Sequence, residues 1–127
     1  MSDVTNTIDA YIAMWNETDP AKRAEAIRTA WTDDGHYVDP LMESQGHEGL
    51  SAMIDGVQAQ FPGHRIRRTS GVDVHHSLLR FGWELVGDDG TVAVGGVDIG
   101  VLADDGRLSR IAGFLGDLPA TDEAAAA

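Results

Sequence analysis

The sequence predicts an α+β fold in which three N-terminal helices pack on one face of a curved antiparallel sheet of about four long strands plus a short one. Two observations carry that expectation. Apolar residues recur at helical spacing through the first half of the chain and alternate in strand fashion through the second. Glycine-bearing turns, GDDG at 87–90 and DDG at 104–106, cut the second half into hairpin-sized segments. At 127 residues the chain is long enough for one domain with one core. That domain is expected over 1–118, with 119–127 as a loose tail.

The elements follow in order. Val4, Ile8, Tyr11, Ile12 and Trp15 fall on one face of a first helix. TDP at 18–20 restarts the chain: Asp19 suits an N-cap and Pro20 the first helical position. A second helix is expected to run to about Trp31, with Ala24, Ile27 and Trp31 on one side, and DDG at 33–35 to break it. HYVDP, 36–40, reads as a short extended piece. A third helix starts near His47, carries Leu50, Met53, Ile54, Val57 and Phe61 as its stripe, and ends at Pro62 and Gly63. Strands are then expected over 64–76 with an interruption at Gly71, and over 78–86, 91–103 and 107–117. A sheet curved in this way, with helices across its concave side, encloses a blind pocket. Gly95, Gly96, Gly100 and Gly113 on the last two strands help it bend and leave room for a ligand.

Composition narrows the function. The chain has no cysteine, which removes disulfides, thiolate metal sites and cysteine nucleophiles, and fits a reducing compartment. A net charge of −12 repels phosphate backbones, so neither nucleic acid nor an anionic membrane is an expected partner. The N-terminus does not read as a signal peptide, and no apolar run reaches membrane-spanning length, so the expected location is the cytoplasm. There is no GxSxG and no phosphate-binding loop, and GGVDIG lacks the dinucleotide fingerprint; no cofactor is expected.

One residue stands out. Asp98 lies in VGGVDIGVL, 94–102, where its strand neighbours are apolar or glycine and neither face looks solvent-washed. A buried carboxylate finds hydrogen bonds, finds a cation or takes up a proton. One reading is structural, with Asp98 bonded to backbone or to Arg80 or Arg110. The other makes it a protonated donor that polarises a carbonyl. Asp39, held extended by Pro40, either caps a turn or serves as a general base at a pocket mouth. Tyr11, on the apolar stripe, either packs in the core or points its hydroxyl into a cavity beside Asp98. The histidines show no metal-ligand spacing; His75 and His76, adjacent on a strand, should face opposite ways, and no metal is expected. His36 and His76 remain candidate pocket acids or bases, and Arg65, Arg67 and Arg68 read as a solvated strand face or as ion-pair partners across a dimer. Cofactor-free proton transfer is the chemistry that these residues support.

The segments TIDAYIAMWNETDPAKR, WTDDGHYVDP, GHEGLSAMI, VAVGGVDIGVL and DGRLSRIAGFLG together resemble the nuclear transport factor 2-like superfamily, which includes the SnoaL-like and ketosteroid-isomerase-like domains. The resemblance covers about residues 4 to 117. It implies a cone-shaped, cystatin-like α+β fold with a pocket, and a homodimer built through the sheet. In the ketosteroid isomerase branch a general-base aspartate precedes proline, matched by Asp39 in DDGHYVDP. An oxyanion-hole tyrosine lies on the first helix, matched by Tyr11 in AYIAMWN. A second donor is a strand aspartic acid, matched by Asp98 in GVDIG. That branch also supports its first tyrosine with others, whereas this chain has only Tyr11 and Tyr37. Trp15, Trp31, His36, Phe61, Trp83 and Phe114 are the expected pocket walls.

The function so implied is a cofactor-independent enzyme of the isomerase, polyketide cyclase or dehydratase type, acting on a small apolar carbonyl compound. The alternatives are a non-catalytic pocket for a hydrophobic molecule and a protein-interaction module of the same fold.

Overall fold

The computed structural model describes residues 3–121, so that 122–127 of the expected tail lie outside the described residues. Helix α1 spans Asp3–Asn16 and α2 spans Pro20–Ala30. The start of α2 follows from its sequence. Asp19 is extended and its carboxylate accepts the Lys22 N–H at 2.9 Å, while Pro20 gives up an N–H that would have no partner. Buried Arg23 ties α2 to α3 (Gly46–Gln60) by donating to Asp55 and Gln58.

Seven strands follow the order β2-β1-β7-β6-β5-β3, with β4 pairing β5 beside β3. They are β1 (Trp31–Val38), β2 (Glu43–Gln45), β3 (Arg65–Arg68), β4 (Asp73–His75), β5 (Leu78–Val86), β6 (Val92–Leu102) and β7 (Leu108–Leu115). The β5–β6 and β6–β7 hairpins turn at GDDG and DDG as the sequence indicates, and the break between β3 and β4 spans Gly71. No helix among the described residues is long and apolar enough to cross a membrane.

Three expectations are corrected. The sheet is mixed, because β1 runs parallel to β7. Trp31 does not end α2 but opens β1, and DDG at 33–35 is not a break but an irregularity inside that strand, between the pairs Trp31↔Leu108 and His36↔Arg110. There Gly35 lies against the Trp31 ring: a Cβ on it would stand 2.4 Å from the indole nitrogen. The outer face of β6 is not covered within the chain, since Val97 and Ile99 are exposed.

The core lies between the helices and the concave face. Ile8, Tyr11 and Met14 of α1, Ile27 of α2, and Leu50 and Ile54 of α3 meet Leu79 and Phe81 of β5 and Leu108 and Ile111 of β7. Each large apolar side chain so buried contributes about 1.5–3 kcal/mol. This packing fills one end of the cone and leaves the other open.

Candidate active site

The open end is a cavity of about 270 Å³. Strand alternation sets what reaches it. On β6 the inward residues are Val94, Gly96, Asp98 and Gly100, and on β1 Tyr37 points inward. Asp98 lies at the inner end, 4% exposed, and Leu41 stands at the mouth, 78% exposed.

Asp98 has two neutral donors. The Tyr11 hydroxyl lies 3.2 Å from Oδ2 and the Trp83 indole N–H donates to Oδ1 at 3.0 Å. Neither expected arginine is its partner: Arg80 pairs with Asp73, and Arg110 is exposed. Burial without a cation pushes the Asp98 carboxyl up to about 7, against the opposing pull of the Tyr11 and Trp83 hydrogen bonds. Burial, reinforced by the neighbouring Asp98, also raises the Tyr11 hydroxyl well above its ordinary value, so it remains a proton donor.

Asp39 faces the same cavity from the turn after β1. It does cap that turn: Oδ1 accepts the N–H groups of Leu41 (2.8 Å) and Met42 (3.0 Å). Oδ2 accepts the Tyr37 hydroxyl at 2.6 Å. An acceptor-only carboxylate satisfies this donor set and keeps one lone pair free on Oδ2. Burial is the main cause that raises the Tyr37 hydroxyl, followed by Asp98 and the bond to Asp39, so Tyr37 too remains a donor.

Gly113 keeps the two acids accessible to one another. It pairs with Asp98 across β6–β7, and a Cβ there would stand 2.9 Å from Asp98 Oδ1 and 3.2 Å from Asp39 Cβ. Gly100, expected to leave room for a ligand, instead faces Leu79, Ile111 and Leu108 in the core.

Of the expected wall residues, Trp15, Phe61 and Trp83 line the cavity with Tyr11, Asp39 and Asp98. Trp31, His36 and Phe114 do not. Trp31 is fully buried behind Tyr11, stacked on its ring at 5.9 Å. His36 alternates with inward-facing Tyr37 and meets Glu43 instead. Phe114 alternates with inward-facing Gly113 and is 59% exposed on the outer face. Tyr37, Met42 and Val57 line the cavity and were not anticipated. The signal for Tyr37 was its place two residues before Asp39, on the same strand face. His75 and His76 do not diverge: His76 takes a left-handed conformation and the two Nδ1 atoms lie 3.1 Å apart. Among the described residues no three His, Asp or Glu side chains are grouped to hold a metal.

A family model for the SnoaL-like domain matches residues 8–111. The fold is similar to that of a SnoaL-like-family protein from Agrobacterium tumefaciens proposed to be an isomerase. The two share 36% identity over 92% of this chain and 100% of the other, with a TM-score of 0.86. A proposed SnoaL-like polyketide cyclase from Jannaschia sp. is 18% identical over 87% and 85% of the two chains, with a TM-score of 0.66. A protein of unknown function with a cystatin-like fold from Methylobium petroleophilum is 15% identical over 97% and 82%, with a TM-score of 0.74. No curated protein matches significantly.

Proposed function

This chain belongs to the SnoaL-like domain family, whose fold holds a small-molecule pocket here, and we propose that it is a cofactor-independent acid–base enzyme acting on an uncharged carbonyl compound. One observation carries the reading: a buried acid with only neutral donors shares one cavity with a second carboxylate at the mouth. Asp39 takes a proton from the carbon next to the carbonyl through the free lone pair of Oδ2. The charge that develops on the carbonyl oxygen is met by the hydrogen-bonded pair of Tyr11 and neutral Asp98. Asp39 then returns the proton to a second carbon. Separate environments make this division of labour possible: Asp98 is dry, and Asp39 is half-exposed and held by three donors.

The cavity also indicates the ligand. Its walls carry Trp15, Phe61, Val57 and Leu85, and no lysine, arginine or histidine is among the described lining residues. Two acids in a chain of net charge −12 disfavour an anionic substrate. A cavity of 270 Å³ holds the volume of about nine waters, below the usual range for drug-sized ligands, which favours a small ring over a large one.

Conjugation of a β,γ-unsaturated cyclic ketone, followed by ultraviolet absorbance, tests the proposal. Asp39→Asn is expected to lose about 10²–10⁴-fold in turnover, and Asp98→Leu about 10²–10³-fold. Absence of wild-type turnover on such ketones would remove the isomerase reading and leave cyclase or dehydratase chemistry, or simple binding of a hydrophobic molecule. We also propose that two copies pair through the outer sheet face; the exposed Val92, Val97, Ile99 and Phe114 support this.

A further inference from the structure

The indole of Trp83 constrains Asp98 in a way that lining a pocket does not. An indole N–H only donates, so the carboxyl oxygen it meets must accept. That oxygen is Oδ1, 3.0 Å away. The carbonyl oxygen of a carboxylic acid accepts more strongly than its hydroxyl oxygen, so the indole favours Oδ1 as the carbonyl. We propose that Trp83 is a positioning residue that confines the acid proton of Asp98 to Oδ2, the oxygen 3.2 Å from the Tyr11 hydroxyl.

The consequence is a directed donor. Tyr11 and neutral Asp98 hold two hydroxyl hydrogens between them. One bridges Oδ2 and the Tyr11 oxygen, and the other is left for a ligand oxygen in the cavity. Without Trp83 the proton could sit on either oxygen of Asp98, and the direction of that donor would be lost.

The chain builds the lock with strand register and a missing side chain. Trp83 pairs with Gly96 across β5–β6, two residues before Asp98 and on the same face. A Cβ on Gly96 would stand 2.0 Å from the Phe114 carbonyl oxygen and 3.2 Å from the indole Cζ2, so the position stays bare where the β7 backbone and the ring both approach. Trp83 itself is 9% exposed. The titratable groups that face Asp98 are Tyr11 from α1, Tyr37 from β1 and Asp39 from the turn after it. Strand β5 brings Trp83 and Phe81, β7 brings Gly113, and α3 and the residue that follows it line the cavity with Val57, Gln60 and Phe61.

The assignment matters to catalysis only if Asp98 works as the neutral donor proposed above, but its test needs no substrate. The chain has three tryptophans, so its indole ¹H–¹⁵N spectrum has three signals, and Trp83→Phe identifies one. In the full chain the Trp83 indole proton is expected to move downfield as Asp98 ionises, with the same midpoint as the Asp98 carboxyl carbon. In Trp83→Phe that carboxyl midpoint is expected to rise by about one pH unit or more, because a donor that favours the charged form is gone. Asp98→Asn keeps an oxygen for the indole and places a permanent N–H donor where the acid proton would sit. Its indole signal should stay in the bonded position and not move with pH. An indole signal that ignores the Asp98 titration in the wild type, or a Trp83→Phe midpoint that is unchanged or lower, overturns the proposal. Should Trp83→Phe fail to fold, the wild type and Asp98→Asn decide it. A protein that passes this test yet turns over no ketone would keep the lock and lose only the isomerase reading.

Discussion

Asp98 binds a proton more tightly in the folded chain than in the unfolded one, and that difference has a sign that can be measured. Burial raises its carboxyl from 3.8 to about 7. Between those values the folded state holds more protons, so stability falls as pH rises through the window. The contribution is complete below about pH 4 and gone above about pH 7, and three pH units correspond to at most about 4 kcal/mol. Exposed Asp89 and Asp105 are lowered instead, by hydrogen bonds from Thr91 and Arg107, so their contribution is lost in the opposite direction, as pH falls. Urea midpoints of the wild type are therefore expected to drop between pH 4 and 8, and those of Asp98→Asn to lose most of that slope, because asparagine stays neutral throughout. A wild-type slope that Asp98→Asn leaves intact would mean that Asp98 ionises normally.

The elements show which parts of this site are readable from a sequence. Local signals held. Asp19 and Pro20 started α2, the GDDG and DDG turns closed their hairpins, and the stripe on α1 put Tyr11 inside. Asp98 was conspicuous because a carboxylate amid apolar strand neighbours has few places to go. Pairing between distant segments was not legible. Strand β1 joins β7 in parallel, and nothing in HYVDP names a partner some seventy residues away. DDG at 33–35 has the composition of a turn, yet it kinks a strand, because Gly35 lets the Trp31 indole fold back against the backbone. The differences in the pocket wall have two causes. His36 and Phe114 are each one residue from an inward-facing position, Tyr37 and Gly113, and a one-residue step on a strand reverses the face. Trp31 continues the apolar stripe of α2 in the sequence, but the helix ends one residue before it and the backbone turns extended there.

At the scale of the whole molecule the same curvature that encloses the cavity leaves an apolar outer face. Val97 pairs with Phe114 across β6–β7, and Ile99 lies one alternation along the strand. Pairing through this face predicts that the wild type sediments as a dimer and that Phe114→Glu shifts it to monomer. Phe114 does not line the cavity, so ketone turnover per folded chain should be retained. A wild type that stays monomeric at high protein concentration would exclude the pairing.

The function proposed for the cavity rests on Asp98 acting as an uncharged acid opposite Asp39. The pH profile of ketone turnover, in the wild type beside Asp98→Asn, tests this most directly. Wild-type turnover should fall with rising pH above about 7, as Asp98 loses its proton, while Asp98→Asn, a donor at every pH, should show no such fall. Wild-type turnover that is flat or rises from pH 7 to 9, or a fall that Asp98→Asn shares, would contradict the account.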